Sequence, residues 1–380
     1  MREVPLSSLQ GRKIAIDASM AIYQFLIAVR SNAGGNNNAS VMLTNEKGET
    51  TSHVQGLFNR TVRFLSEGIR PVFVFDGKPP SFKNHELTKR RAKAKEASAK
   101  LKQAQEEGNV EEEEKQSKRL VRAGQKENQD CMNLLGLMGV PVIKAPCEAE
   151  AQAAAMAKAG TVYAVATEDM DALTFATPIL YRKMTFASGK TDIQKLHYPS
   201  ALEGLGLSSD EFIDLCILLG CDYCDSIRGI GPKTALKLIQ KHRSIENILP
   251  TLDSKKYGVP DNWLPPPKDD ETQEQEEEEF VPVYVEARKL FKQHEVLHDV
   301  KLEWKTCQAV ELKKYLVDEM GFNPERVDSS IEKLEKAYKA LAKPQTRMDS
   351  FFKVLPSTKK KKTVQKPAPK KKTNNAKRRR

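Results

Sequence analysis

The chain has 380 residues, of which 39% are hydrophobic and 30% are charged, and its formal net charge is +11. This length is sufficient for one large domain or two smaller ones. The sequence has no apolar run of about 18 residues and no apolar stretch near its start, so we expect neither a membrane span nor a secretory signal.

The positive charge is concentrated at the C-terminus. Residues 343–380 carry 15 basic residues and one acidic residue, a net +14, so the rest of the chain sums to −3. Residues 269–279 hold eight acids and no base, which leaves +5 for the remaining body. The net charge suggests a nucleic-acid partner, but its uneven distribution makes the total weak evidence for a DNA-binding body.

The first part of the chain alternates predicted strands and helices. Residues 13–17 form a short apolar run that ends at an acid, and helical apolar spacing follows over 22–29. A second helix is predicted over 53–65, and residues 71–76 form another β-rich run that ends at an aspartate. Both strands therefore present a carboxylate at their carboxyl ends.

A basic segment interrupts the alternation. Residues 83–102 hold eight bases, two acids and few large apolar residues, so we expect them to project into solvent. Helical spacing then covers 115–138, a third strand 140–143, an alanine-rich helix 147–159 and a fourth strand 162–166. The alternation predicts an α/β fold with a central, largely parallel sheet flanked by helices.

The remaining chain is predicted to be mostly helical. Helical patterns begin near residue 212, and a last amphipathic region covers 310–341. The proline-rich, acidic stretch 264–279 is expected to be a solvated insertion, because it has too few apolar residues to order itself. Cys221 and Cys224 form a C-x-x-C after a helical run and without a second metal-binding pair, so we interpret them as structural.

Acids follow four predicted strands, and the carboxyl ends of parallel strands meet at one side of a sheet. Carboxylates gathered there would raise one another's pKa values unless a cation is bound, and oxygen ligands favour Mg²⁺ or Mn²⁺ over zinc. Two such ions suit phosphodiester hydrolysis, although a magnesium-dependent phosphatase could use similar ligands. The acids are Asp17, Asp76, Glu148, Glu150, Asp169 and Asp171.

Simpler interpretations of these acids remain open. Glu148 and Glu150 could complement a helix dipole, and a single aspartate after a strand is often a turn former. The two glutamates also lie roughly 200° apart on an ideal helix, so equal roles do not follow from their spacing. One of them could act through water.

A segment of sequence Gly-Ile-Gly-Pro-Lys-Thr-Ala resembles a helix-hairpin-helix element. Its glycines, Gly229 and Gly231, let backbone N–H groups approach a phosphate, and the helix after the proline favours an anion at its N-terminus. The flanking Arg228 and Lys233 favour a grip on the duplex backbone over a plain tight turn. Asp222, just upstream, could add a seventh acid.

Five strings are characteristic as a set. They are Ile16-Asp-Ala-Ser19, Val74-Phe-Asp-Gly-Lys-Pro-Pro80, Glu148-Ala-Glu150, Thr167-Glu-Asp-Met-Asp171 and Gly220-Cys-Asp-Tyr-Cys-Asp-Ser-Ile-Arg-Gly-Ile-Gly-Pro-Lys233. They closely resemble the flap endonucleases of the XPG-type 5′ nuclease family, from about residue 11 to residue 352. The resemblance implies a PIN-like 5′ nuclease fold with a helical arch, a helix-hairpin-helix element and a disordered C-terminal tail.

The resemblance also implies a division of the chain. It places an N-terminal nuclease region at 1–95, the arch at 83–112, an internal nuclease region at 113–243 that ends in the hairpin element at about 212–243, the acidic insertion at 264–279, a C-terminal helical part of the core at 280–342 and the tail at 343–380. The activity implied is cleavage of 5′ flaps, with 5′-3′ exonuclease activity, in DNA replication (Okazaki fragment maturation) and long-patch base excision repair, by a monomer.

Individual roles follow from the same resemblance. Two Mg²⁺ ions, replaceable by Mn²⁺, would be held by the six strand-end acids and Asp222, and Asp171 would be essential for catalysis. Lys83 and Arg90 would contact the scissile phosphate from the base of the arch. Tyr23 would stack on the substrate. The other residues implied to contact DNA are Arg30, Arg60, Glu148, Gly220, Asp222, Arg228, Gly229, Gly231 and Lys233.

Near the C-terminus, residues 345–352 look like a peptide that binds a sliding clamp, a PCNA trimer. A short helical turn would insert Met348, Phe351 and Phe352 into an apolar pocket, and Gln345 begins the motif. The lysine clusters in the tail fit import into the nucleus, in nucleolus and nucleoplasm, with a mitochondrial pool left open.

One departure from the family pattern gives an alternative function. Family members begin Met-Gly-Ile and carry a longer segment before the Gly-Arg-Lys that here occupies residues 11–13, whereas this chain begins Met-Arg-Glu-Val. That segment lies near the active site in the family. If the start is native, we expect a clamp-bound DNA-binding protein with impaired catalysis.

Overall fold

The computed structural model describes residues 1–31, 50–184, 192–265 and 280–342. Most of the predicted acidic insertion and the whole predicted clamp peptide, including Gln345, Met348, Phe351 and Phe352, lie outside these residues. Within the described ranges, no helix is long and apolar enough to cross a membrane.

The centre of the described chain is a seven-stranded mixed sheet. Its strands are β1 (Arg2–Val4), β2 (Lys13–Asp17), β3 (Arg70–Phe75), β4 (Val142–Lys144), β5 (Ala164–Ala166), β6 (Ile179–Arg182) and β7 (Ile193–His197). Their order across the sheet is β1-β7-β6-β5-β2-β3-β4. The pairs from β6 to β4 are parallel, and β7 is antiparallel to both β6 and β1. The predicted largely parallel sheet is confirmed.

The apolar pattern predicts β2 to β5 but misses β1, β6 and β7. β1 and β7 form the antiparallel edge of the sheet, where polar residues are tolerated on the solvent side, and β6 is a strand of only four residues between β7 and β5. In β7, for example, only Ile193 and Leu196 are apolar among five residues. The alternation of apolar and polar residues is therefore weak in β7.

Helices cover both faces of the sheet. They are α1 (Ala18–Ser31), α2 (Ser52–Ser66), α3 (Asn84–Glu106), α4 (Val110–Arg119), α5 (Gln125–Leu137), α6 (Ala149–Lys158), α7 (Asp171–Thr174), α8 (Tyr198–Leu205), α9 (Ser209–Leu219), α10 (Pro232–His242), α11 (Ile245–Ile248), α12 (Val283–Lys292), α13 (Ala309–Lys314) and α14 (Pro324–Ala342). In β2, Ile14 and Ile16 are buried in one core and Ala15 in another, so both faces of this strand are covered.

Two predicted helical regions are interrupted. In the region 115–138, α4 ends at Arg119 and α5 begins only at Gln125, because the Glu127 side chain accepts the Gly124 N–H at 2.9 Å and caps a new helix. In the region 310–341, a π-helical turn over Tyr315–Glu319 follows α13 before the chain re-enters a helix as α14.

The basic segment predicted to project forms α3. Only Ala97 and Ala104 are buried along its length, and it packs against α4. Small alanines at that contact let two highly charged helices approach closely. The segment therefore has a narrow helix–helix contact and a long exposed basic surface.

A separate apolar cluster supports the predicted hairpin. It combines side chains of α9, α10 and α12 around the fully buried Trp263. Within it, Arg288 donates to both carboxylate oxygens of Asp214, at 2.7 and 2.9 Å, and so ties α12 to α9. The turn before α10 needs a glycine at Gly229, which has φ +93° and would place a Cβ 3.1 Å from the Lys256 carbonyl oxygen.

Candidate active site

The carboxyl ends of four neighbouring strands carry acids. Asp17 is the last residue of β2 and Asp76 follows β3. Glu148 is the residue before α6, on the chain that leaves β4, while Asp169 and Asp171 follow β5. Because β5, β2, β3 and β4 are consecutive in the sheet, these ends open onto a single cleft with a volume of about 1320 Å³.

Most of the predicted metal ligands line this cleft. Asp171 begins α7, and its backbone N–H donates to Asp169 Oδ1, at 2.9 Å, next to these lining residues. The acids in the lining are Asp17, Asp76, Glu148, Glu150, Asp169 and Asp222. The structure thus brings together residues as far apart in the sequence as Asp17 and Asp222, and their roles as ligands stay predictions.

Asp17 is the most tightly held of these acids. It is 3% exposed, and its carboxylate accepts the Met20 N–H at 3.0 Å and the Thr167 hydroxyl at 2.9 Å. Burial, followed by the nearby charge of Asp76, nevertheless raises the pKa of Asp17 to about 6. Hydrogen bonding therefore only partly offsets the cost of placing this charge inside the fold.

Two more acids of the cluster, Glu150 and Asp171, have raised pKa values. Burial and repulsion by Asp17 raise the pKa of Glu150 well above its ordinary value. Burial and repulsion by Asp169 raise the pKa of Asp171 to about 7. These carboxylates cannot all be ionised near neutral pH unless a cation compensates them.

Lys83 supplies one cation to this cluster. Its Nζ donates to the Glu148 carboxylate and lies 3.0 Å from Asp222 Oδ2. Burial alone would lower the pKa of Lys83, but Glu148 and Asp222 together raise it above its ordinary value, so the ammonium stays charged. The second Glu148 oxygen accepts the Tyr223 hydroxyl, a buried contact that no sequence pattern indicates.

The start of α3 is anchored to the chain that follows α9. Arg90 Nη2 donates to Asp222 Oδ1 at 2.6 Å. The preceding residue, Lys89, pairs with Asp225, whose other oxygen lies 3.4 Å from His85 Nε2. Basic residues of α3 thus face the candidate ligand Asp222 and its neighbour.

The donor set fits hard divalent cations. All seven candidates offer carboxylate oxygens, and three of them have raised pKa values that a bound cation would lower. In the described part of the chain, no three acidic, imidazole or thiol side chains are already arranged around a common point. The ammonium of Lys83 lies between Glu148 and Asp222 and pairs with both.

The predicted DNA contacts fall in different places. Tyr23 is 38% exposed and lines the cleft, as do Lys83 and Arg90. Arg30 belongs to α1, but its side chain lies outside the described structure. Arg60 lies on α2 outside the cleft lining, where burial, with a smaller effect of Arg63, lowers its pKa to about 10.

The hairpin residues form a separate group outside the cleft lining. Gly220 and Gly229 have φ of +101° and +93°, values that favour glycine. Gly231 caps α10 and Lys233 lies in its first turn. Arg228 exchanges two backbone hydrogen bonds with Gly258, which hold the hairpin against the following segment.

Sequence reasoning does not assign a role to several other polar residues of the cleft lining. Arg91 comes from α3, Arg122 from the connection between α4 and α5, and Lys126 and Gln129 from α5. Arg122 also donates to the Arg90 carbonyl oxygen at 3.1 Å. The available indication was the density of bases in 118–126, where four of nine residues are Lys or Arg.

The raised carboxyl pKa values predict how stability changes with pH when metal is chelated. A group whose pKa is raised by folding stabilises the fold fully below about pH 4, and this contribution is lost as pH rises through about 6 for Asp17 and about 7 for Asp171. We expect the free energy of unfolding of Asp171→Asn, measured by urea titration in EDTA, to exceed that of wild type by on the order of 1–3 kcal/mol at pH 7.5 and by much less at pH 4.5. An equal gain at both pH values would contradict the raised pKa of Asp171.

Comparisons with known proteins agree with this geometry. Two family models match the chain, the XPG N-terminal domain over residues 1–97 and the XPG I-region over residues 139–222. A curated relative from Phaeodactylum tricornutum, named flap endonuclease 1, is 63% identical to this chain and aligns with 93% of it and 88% of the relative.

Solved structures show the same fold. Flap endonuclease-1 from Methanococcus jannaschii is 32% identical with a TM-score of 0.64, and the match covers 89% of this chain and 96% of that one. The catalytic core of Rad2 in complex with DNA substrate is 26% identical with a TM-score of 0.63, over 88% of this chain and 96% of that one. The chain therefore belongs to the flap endonuclease 1 family of XPG-type nucleases.

Proposed function

We propose that this chain is a structure-specific 5′ flap endonuclease, with 5′-3′ exonuclease activity, that hydrolyses DNA phosphodiester bonds with divalent metal ions. The observation that carries the proposal is the cluster of carboxylates at four strand ends, in contact with basic residues at the start of α3. Family membership supports it, because the relative and the solved structure at 32% identity are both named flap endonucleases.

Mg²⁺ is the ion we propose, with Mn²⁺ as a substitute. Two ions would be held by the oxygen donors Asp17, Asp76, Glu148, Glu150, Asp169, Asp171 and Asp222. When bound, such ions lower the pKa of an attacking water and stabilise the in-line transition state. The support in this chain is that burial, followed by repulsion from Asp169, raises the pKa of Asp171 to about 7, and a divalent cation would offset both effects.

Basic side chains of the same cleft would hold the substrate. Lys83 and Arg90 already pair with carboxylates of the cluster, so a phosphate arriving there would meet two preorganised cations. Arg91, Arg122 and Lys126 extend the positive lining and would track a single strand electrostatically. Tyr23 offers an exposed ring on which a base can stack.

The hairpin would hold the duplex part of the substrate. Gly231 and Lys233 stand at the N-terminus of α10, where free backbone N–H groups favour a phosphate. Such contacts carry no sequence information, which suits an enzyme selected by substrate shape. A single-stranded flap in the cleft and a duplex at the hairpin together define the junction as the site of cleavage.

We further propose that residues 345–352 bind the sliding clamp and that the protein works in the nucleus during replication and repair. The support for both is in the sequence, which combines paired phenylalanines with lysine clusters in the tail. We also propose that the protein acts on DNA as a monomer.

The function is tested with a DNA substrate that carries a labelled 5′ flap. We expect Mg²⁺-dependent cleavage near the junction, no cleavage in EDTA, and much slower cleavage of blunt duplex of the same sequence. A bulky adduct on the 5′ end should stall cleavage if the strand has to be threaded. Equal rates on the flap and on blunt duplex would contradict flap specificity, and cleavage in EDTA would contradict metal dependence.

A further inference from the structure

Cys221 and Cys224 face each other beside the candidate active site. They form an isolated antiparallel bridge, and their Sγ atoms are 3.6 Å apart. Residues paired in this way have Cα atoms about 4.5–5.5 Å apart, which lies within the range that disulfides span. Closing the bond would shorten the Sγ–Sγ distance by about 1.5 Å, so only a small local movement is needed.

The pair has no other evident partner. All six cysteines lie in the described part of the chain and are free thiols. The pair has no second C-x-x-C in the sequence with which to complete a four-thiolate zinc site. Cys221 is half-buried and Cys224 is 9% exposed, so Cys221 is the more accessible residue of the pair and the one we expect to react first, with Cys224 as the resolving thiol.

The two residues between these cysteines make the central contacts of the site. Asp222 binds both Lys83 and Arg90, and Tyr223 donates its hydroxyl to Glu148. Any movement of this short loop therefore reaches the acidic cluster and the start of α3. The two cysteines stand at either end of that loop.

We propose that Cys221 and Cys224 form a redox-sensitive dithiol, and that its oxidation to a disulfide by a peroxide lowers nuclease activity. The effect on activity rests on the proposed function. The Cys221 sulfur attacks a peroxide oxygen, the O–O bond breaks, and water leaves as a sulfenic acid forms. The Cys224 sulfur then attacks that sulfur and releases a second water. Two thiols are oxidised and one peroxide is reduced to two waters.

The size of the effect follows from geometry. Misplacing a catalytic constellation by about 1 Å can cost on the order of 10²-fold in rate. Closing the bond shortens the Sγ–Sγ distance by about 1.5 Å, and we expect part of this change to shift Asp222 and Tyr223, which lie between the two cysteines. We expect the disulfide form to cleave a 5′ flap about 10- to 100-fold more slowly than the dithiol form. Reduction by dithiothreitol should restore the rate.

The bond itself is measured without any activity assay. The full chain is treated with hydrogen peroxide, and free thiols are alkylated with iodoacetamide. The protein is then digested, and the masses of the peptides and their fragments are measured by mass spectrometry. We expect a peptide that contains both cysteines to lose two hydrogens and to escape alkylation. Persistent alkylation of both cysteines, or a disulfide to a different cysteine, overturns the proposal. This measurement stands even if the chain cleaves no DNA.

The effect on rate is tested with two variants. Cys221→Ser cannot form the bond, and we expect it to match the reduced wild type and to keep its rate after peroxide treatment. Cys307→Ser, which keeps the pair, is the matched control and should remain sensitive. Loss of activity in oxidised Cys221→Ser, or full activity of a chain shown to carry the disulfide, overturns the proposed regulation. A reduced chain without flap cleavage contradicts the proposed function instead.

Discussion

Replacing Asp171 by asparagine is expected to reduce Mg²⁺-dependent cleavage of a 5′ flap by about 10²- to 10⁴-fold while leaving DNA binding within a few-fold of wild type. Asparagine has nearly the same shape, so the carboxylate charge is the main thing removed. That charge is one that the fold holds at a cost, since burial and Asp169 raise the pKa of Asp171 to about 7. Single-turnover cleavage and fluorescence anisotropy with the same labelled substrate separate chemistry from binding.

The matched control for this variant is Asp328→Asn. Asp328 is half exposed on α14 and pairs only with Lys313, so its loss should change the cleavage rate less than about twofold. Cleavage by Asp171→Asn within tenfold of wild type would remove this residue from the metal site. Lost DNA binding would indicate a damaged fold.

Replacing Lys83 by methionine is expected to lower the maximal cleavage rate by about 10²- to 10³-fold and also to lower the Mg²⁺ concentration needed for half-maximal activity. Methionine keeps the length of the side chain and removes its charge. The ammonium now holds Glu148 and Asp222, so it competes with a divalent ion for the same oxygens. Without the ammonium, the two carboxylates are free to bind the metal ion, but the substrate phosphate is no longer contacted by a positive charge at this position.

A Mg²⁺ titration of flap cleavage measures both quantities. The control is Lys100→Met on α3, whose partner Glu96 is exposed and outside the cleft, and we expect it to resemble wild type. If Lys83→Met requires more Mg²⁺ than wild type, competition with the ion is wrong and Lys83 instead helps to assemble the site.

Strand-end acids could be predicted from the sequence because two local patterns coincide. A β-rich run buried on both sides has to end where a polar residue appears, so Asp17 and Asp76 mark both the strand and its end. The antiparallel strands at the edge of the sheet have no comparable sequence pattern. β7 mixes Gln194 and Lys195 with its apolar residues, and only its pairing with β1 and β6 makes it a strand.

Contacts between distant residues could not be predicted in this way. Tyr223 donates to Glu148 across 75 positions, and Lys89 pairs with Asp225 across 136. No helical or strand period links such residues, because their proximity depends on how α3 and the chain after α9 pack on the sheet. The prediction of a structural role for Cys221 and Cys224 likewise gave no indication that their sulfur atoms lie 3.6 Å apart.

By itself, the sequence determined the alternation of strands and helices, the oxygen-only donor set and the glycines of the hairpin, since these depend on local periodicity and on backbone freedom. The tertiary structure alone decided that Lys83 lies between Glu148 and Asp222, that Tyr223 donates to Glu148, and that the pKa of Asp17 is raised to about 6. Charges interact through space and through the burial around them, and neither is a property of position along the chain.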